Sequence, residues 1–304
     1  MHSSMEEMEV SRPAAEFKYG EREHRASTKK APVYVMPQLK DHVWNEESIS
    51  AFWDDVSADE RFSKLYFTQF YAKNLILFAK LFGLSKGAVL DYGCGRGYLT
   101  IELLRNGFDT TSLDFSPASC QATAERAERE NLRAVVIVAN KLPAPVPDNS
   151  YEFIFSIETY EHLLPEWVSG YFTELRRLLK PGGTLLISAP NEEDLDSNMC
   201  LCPACHTTFH RWGHLRTASA KDLSEIARSH GFDIIFCEGI DLDYLNATFM
   251  RESWNESSLN DLKRSLYNKI IKKYCQLFTQ SMTNVGRKLA YNPGRHLMLI
   301  AKKT

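Results

Sequence analysis

Seven short apolar runs follow Gly87: "AVLDYG", "TTSLDF", "AVVIVAN", "YEFIFSI", "TLLISAP", "FDIIFCEGI" and "HLMLIAKK". Helical patterns separate most of them, among them "YLTIELLRNG", "PASCQATAERAERENL", "EWVSGYFTELRRLLK" and "KDLSEIARSHG". Alternation of this kind predicts an α/β fold, because a strand whose two faces are both apolar needs helices on both sides of the sheet. The expected architecture is a doubly wound, mostly parallel seven-stranded sheet.

The flanks read differently. Residues 1–45 are polar, without a sustained apolar period, and predict a mobile N-terminal arm. Residues 46–84 turn helical, with aromatic and aliphatic residues at three- and four-residue steps, and predict a helical cap. The core is placed at 85–240. Residues 241–304 are read as a helical insertion before the final strand, with Leu262, Leu266, Ile270, Ile271, Tyr274 and Leu277 on its apolar side. The basic side of that helix, with Lys263, Arg264, Lys269, Lys272 and Lys273, is read as a solvated face.

With 304 residues, 44% of them hydrophobic, one large core with elaborations is feasible. The start "MHSSMEEMEV" lacks a basic and then apolar leader, and no apolar run nears the ~20 residues a membrane helix needs, so a cytoplasmic protein without membrane partners is expected. There the seven cysteines are thiols or metal ligands rather than disulfides. A net charge of −3 gives no overall pull toward nucleic acid.

Two places carry chemistry. "VLDYGCGRGYLT" sets Gly93, Gly95 and Gly97 between a strand and a helix start, where absent Cβ atoms and a positive dipole end suit a ligand. Tight turns use glycine for conformational reasons too. Asp114, at the end of the next strand, is either a ribose acceptor or a helix N-cap. "ETYEH" follows the fourth strand; in a helix Glu158, Glu161 and His162 would share one face, as a divalent cation requires. A solvated acidic helix start is the alternative.

"VLDYGCGRG", "LDFSP", "NKLPAPVPDNSYEFIFSIE" and "LLKPGGTLLISAPN" resemble, in order, the motif series of class I S-adenosylmethionine-dependent methyltransferases over roughly residues 85–240. The resemblance implies a Rossmann-like methyltransferase fold with the Gly93–Gly97 loop beside the methionine part of the cofactor, Asp114 on the ribose, and Asn140 and Lys141 bordering the adenine. Asp91, Phe115 and Ile157 carry over as further cofactor positions. Asn140 departs from the family's frequent Asp, keeping a hydrogen-bonding group and losing a charge. A nicotinamide-dependent oxidoreductase shares the glycines but not the "PDNSYEF" and "KPGGTLL" blocks.

E-x-x-E-H is also similar to the metal motif of ubiquinone-biosynthesis O-methyltransferases and of small-RNA 3′-terminal 2′-O-methyltransferases. The RNA enzymes complete the site with a histidine downstream of "PN", a position His214 matches. The resemblance thus implies Glu158, Glu161, His162 and His214 as catalytic ligands of Mg²⁺, Mn²⁺, Fe²⁺ or Zn²⁺. Such an ion would grip two neighbouring hydroxyls of an acceptor and lower a hydroxyl pKa.

"CLCPACHTTFHRWGH" then leaves Cys202, Cys205 and His210, with Cys200 or His206 as a fourth, for a structural zinc. A metal-free thiol loop stands against it, as does one zinc on Cys202, Cys205, His210 and His214 with "ETYEH" acting alone. The acceptor expected first is a small molecule or sugar, then an RNA 3′ end; transfer to nitrogen or carbon comes third, and a silent cofactor-binding scaffold is the non-enzyme alternative.

Overall fold

The computed structural model describes residues 39–240, 242 and 294–304. The predicted arm up to residue 38 and the apolar and basic faces of the 241–292 helix lie outside the described residues.

The described residues open with β1 (Lys40–Asp41), α1 (Glu46–Ala58) and α2 (Phe67–Leu81). β1, within the stretch expected to belong to the arm, is paired in a sheet. The cap is two helices joined by a two-turn 3₁₀ segment, Glu60–Leu65. Asn45 and Ser48 close a reciprocal cap on α1. Asp59, in extended conformation, ends α1 and accepts from the Arg61 N–H at 2.9 Å, which starts the 3₁₀ turn.

The main sheet is built from β2 (Ala88–Tyr92), β3 (Asp109–Asp114), β4 (Val135–Val138), β5 (Tyr151–Ile157), β6 (Leu179–Pro190), β9 (Phe232–Ile240) and β10 (His296–Lys303). Its order is β4-β3-β2-β5-β6-β10-β9, parallel from β4 to β6, with β10 antiparallel to both neighbours. Helices α3 (Tyr98–Arg105), α4 (Pro117–Arg129), α5 (Val168–Leu178) and α6 (Ala220–Ser229) connect the strands. The period of two decides which core each side chain joins. Leu90, Ile154, Leu185, Ile187, Leu297 and Leu299 pack with Tyr171, Phe172 and Leu175 of α5 and Leu223 of α6. Val89, Phe153, Phe155, Leu186, Met298 and Ile300 pack on the other face with Leu75, Phe78 and Ala79 of α2 and with Leu99 and Leu103 of α3. Doubly apolar strands are thus covered on both faces, as predicted.

The carboxyl ends of β2, β3, β5 and β6 share one edge of the sheet, where open α/β folds bind ligands. Beyond β6 the chain makes a hairpin, β7 (Met199–Leu201) and β8 (Thr207–His210), with β1 parallel to β8. This hairpin carries the Cys/His segment. Among the described residues no helix is long and apolar enough to cross a membrane.

The cap is tied to the glycine turn by Arg96, only 4% exposed. Its guanidinium donates to the Ser57 carbonyl at 2.5 Å and pairs with Glu60. Arg96→Ala leaves that carbonyl without its donor, an expected loss of roughly 1–3 kcal/mol. Thermal unfolding should show it as a fall of a few degrees, at about 2–4 °C per kcal/mol for a domain of this size.

Candidate active site

The glycine turn is held from three sides. Gly93 and Cys94 donate their N–H groups to the Leu113 carbonyl at 2.7 and 3.1 Å. Gly95 donates to Asp114 Oδ2 at 2.9 Å, and Thr123 donates to the Gly95 carbonyl at 2.8 Å. Gly93 and Gly95 have φ of +78° and +51°, the left-handed region that glycine tolerates. Neither has room for a Cβ, which would meet Thr159 Oγ1 at 2.5 Å or the Tyr66 ring at 2.7 Å. The turn is therefore pressed between the cap and the segment that carries Glu158 and Glu161. Gly97, the N-cap of α3, has no side chain to cap the helix; Asp91 takes the Thr100 N–H, which leaves those of Tyr98 and Leu99 beside the turn.

Asp114 is 6% exposed and accepts from Gly95 and from the Ser116 N–H, both at 2.9 Å, one on each oxygen. Burial pushes its carboxyl up to about 6. With the Phe115 N–H also turned toward it, the carboxylate keeps acceptor capacity for a hydroxyl donor. Asp91 is placed differently. Its carboxylate, 2% exposed and raised to about 7 by burial, accepts from Thr100 at 2.7 Å and braces β2 against α3. Phe115 is half-buried, Ile157 lies in the core with α2, and Asn140 and Lys141 are exposed after β4.

"ETYEH" does not enter an α-helix. Glu158 takes φ +48° and the chain makes one 3₁₀ turn, Tyr160–His162. The expected common helical face is replaced by this turn, which still brings acid and imidazole together. His214 arrives from beyond the hairpin, its loop fixed where the Leu215 N–H donates to the Glu161 carbonyl at 2.8 Å. Ligand atoms of Glu161, His162 and His214 lie within 4.8 Å of one another. Glu158 stands outside that trio, one oxygen accepting from Ser188 Oγ at 2.7 Å.

Glu161 is 1% exposed and, among the described residues, neither of its oxygens meets a donor of good hydrogen-bond geometry, though its own N–H and the Glu158 carboxyl lie against it. Burial, and then the charge of Glu158, raise its carboxyl well above the ordinary range; burial lifts Glu158 to about 7. Burial and the neighbouring imidazoles lower His162 to about 3, and burial lowers His214. Two facing carboxylates and two neutral imidazoles form a donor set that lacks only positive charge. Oxygen and imidazole ligands in this mixture suit a divalent ion such as Mn²⁺, Fe²⁺ or Zn²⁺.

The structure does not bring together the residues expected to hold structural zinc. Cys202 and Cys205 occupy the β7–β8 turn, where Cys205 Sγ lies 2.9 Å from Thr207 Oγ1 and His206 takes φ +57°. His210 sits at the far end of β8, three residues and ~10 Å along the strand from Thr207. There it is buried beside His214 and Glu193. Among the described residues no cysteine joins a group of three ligands, with Cys200 and His206 included in that count, and the six described cysteines are free thiols. Nor does the structure gather Cys202, Cys205, His210 and His214, the single-zinc alternative, into one group among the described residues.

Three residues near the trio escaped the sequence reading. Glu193, two residues past Asn191, pairs with His214. Trp53 meets the His162 ring edge to face at 4.6 Å and lies 6.4 Å from Tyr66. The "PN" before Glu193 was its only signal, whereas Trp53 and Tyr66 looked like ordinary apolar positions of a helical cap.

A methyltransferase domain family model matches residues 64–235, more than half of the chain, and the chain belongs to that family. Its cofactor turn and sheet are those of the class I S-adenosylmethionine-dependent kind. A probable S-adenosylmethionine-dependent methyltransferase of Mycolicibacterium smegmatis is 29% identical over 150 residues, covering 48% of this chain and 52% of its own. The ubiquinone biosynthesis O-methyltransferase of Rickettsia akari is 28% identical over 108 residues, covering 36% and 42%. The chain spans about half the length of the curated relatives it matches. In fold it is similar to the 1,6-didemethyltoxoflavin-N1-methyltransferase of Burkholderia thailandensis, solved with S-adenosylhomocysteine, at 16% identity and a TM-score of 0.53 over 88% of this chain and 93% of that one.

Proposed function

We propose that this chain is an S-adenosylmethionine-dependent O-methyltransferase that uses a divalent cation to engage neighbouring hydroxyls of a small-molecule or sugar acceptor. The observation that carries the reading is the buried, donor-free Glu161 carboxylate facing two neutral imidazoles. A group left so is costly unless a cation or proton joins it. S-adenosylmethionine would supply the methyl on its sulfonium, and the cation would lower the pKa of an acceptor hydroxyl.

The residues divide the remaining work. The turn at Gly93–Gly97 and the open start of α3 hold the carboxylate end of the cofactor, and Asp114 accepts from its ribose hydroxyls. Glu161, His162 and His214 hold the cation, with Glu158 beside them as the second carboxylate. Trp53 spans the interval between Tyr66, over Gly95, and His162, so an acceptor placed between methyl and cation lies against its ring. Contact between Thr159 and Gly93 joins the two halves rigidly, which favours the in-line geometry that methyl transfer needs.

A second reading, methylation of an RNA 3′-terminal 2′-hydroxyl, draws on the same meeting of His214 with Glu161 and His162. The test is calorimetric titration with S-adenosylmethionine, followed by methyl-transfer assays on catechols, sugars and RNA 3′ ends with and without chelator. Cofactor binding and turnover of a vicinal diol that chelator abolishes are expected. Binding without turnover of any acceptor would instead identify a silent scaffold, and chelator-insensitive turnover would overturn the role of the cation.

A further inference from the structure

The three histidines of the cluster engage different ring nitrogens. His162 Nδ1 lies 3.1 Å from the Gly213 carbonyl, to which it can only donate, so its Nε2 carries the lone pair. That Nε2 lies 3.7 Å from Glu161 Oε1. His214 likewise gives Nδ1–H to Glu193 Oε2, leaving Nε2 free for the trio. His210 is reversed. Its Nδ1 accepts the backbone N–H groups of His214 at 3.2 Å and Trp212 at 3.4 Å, which puts its proton on Nε2. This Nε2 lies 3.4 Å from Glu193 Oε1 and has no hydrogen-bond partner of good geometry. The same Glu193 oxygen accepts from Asn198 Nδ2 at 3.0 Å.

We propose that Glu193 and His210 are positioning residues of the cation site: Glu193 fixes the ring and tautomer of His214, and His210 stacks on that ring and keeps its Nε2 beside Glu193. The proposal rests on the reading that Glu161, His162 and His214 bind a divalent ion. Metal-bound histidines regularly give their second ring N–H to a carboxylate, which orients the ring and raises its basicity as a ligand. The His210 ring stacks on His214 at 4.4 Å with 22° between planes, so it also blocks tilting of that ring. Glu193, His210 and His214 bring three ligand atoms within 4.8 Å and in that respect resemble a second ion site. The tautomer of His210 rules against it, because a nitrogen that carries a proton offers no lone pair.

Cobalt(II) titration of the full chain, by chelator competition and visible absorption, tests the assignment, with metal content and thermal unfolding in chelator measured for every variant. One ion per chain is expected in wild type, Glu193→Ala and His210→Leu, with affinity weakened about 10–100-fold in both variants. Glu193→Gln keeps an acceptor for His214, although its NH₂ then faces the Asn198 and His210 donors, and His210→Gln keeps a donor for Glu193. Glu193→Gln should therefore recover part of the lost affinity and His210→Gln most of it, which a loss of general packing would not produce, and they serve if the harsher variants fail to fold. Unchanged affinity in Glu193→Ala or His210→Leu overturns the proposal. So does a wild-type stoichiometry of two that falls to one in His210→Leu, which would make the cluster a second ion site. Wild-type protein that takes up no cobalt overturns the cation reading itself, with the proposal.

Discussion

Glu161→Gln is expected to abolish divalent-cation binding and lower cation-dependent methyl transfer by roughly 10³-fold, about 4 kcal/mol of barrier. At the same time it should raise the melting temperature of chelator-treated protein. The opposite signs come from one fact. Without a cation, burial and the Glu158 charge beside it hold the Glu161 carboxyl well above its ordinary range, so it is stable only while it keeps its proton. The amide cannot ionise, so the substitution removes the cost of a charge buried beside Glu158, which should raise the melting temperature by a few degrees for a domain of this size. The pH dependence follows in sign. Glu158 is lifted from an ordinary 4.5 to about 7, and Glu161 is raised as well. A carboxyl raised by folding gives stability that is fully present below its unfolded value and is lost as pH rises through its folded value. Cation-free wild type should therefore lose stability between pH 4.5 and about 7. Glu161→Gln should show a shallower slope, since the amide carries no proton to lose. A lower melting temperature in chelator, or metal content equal to wild type, would count against the reading.

The two halves of the site were legible to different depths, for a physical reason. β2, the glycine turn and α3 are contiguous in sequence, so local spacing announces them. Asp114 is one strand away and still regular. By contrast, the trio joins Glu161 and His162 to His214 across a hairpin whose fold depends on pairing with β1. The family resemblance pointed to His214, yet nothing in the spacing revealed that His210, at the end of β8, faces away from the cysteines. Cys202 and Cys205 have the short spacing of a zinc turn, but ligand spacing leaves open which side of the hairpin a third ligand takes. Glu158 shows a local limit as well. "ETYEH" has helical spacing, and the packing of Thr159 against Gly93 favours a 3₁₀ turn instead. The seven strands themselves were readable because burial on both faces leaves an apolar run that no loop would carry.

Asp114→Asn should weaken S-adenosylmethionine binding by about 10–100-fold and lower the melting temperature by several degrees, although it is nearly isosteric. Both carboxylate oxygens accept backbone N–H groups, from Gly95 and Ser116. An amide has one oxygen and one NH₂, so in either orientation a donor is set against a donor. One backbone N–H then loses its acceptor inside a site that is 6% exposed, a cost of roughly 1–3 kcal/mol. If the lost partner is Gly95, the turn itself loosens. The carboxylate's second task, accepting from ribose hydroxyls, fails on the same nitrogen. A cofactor analogue without ribose hydroxyls separates the two tasks. Its affinity should fall by no more than the share due to the loosened turn, while that of the natural cofactor falls further, and the ratio isolates the hydroxyl contact. Equal losses for both ligands would assign Asp114 to the architecture of the turn alone and return the ribose to some other acceptor.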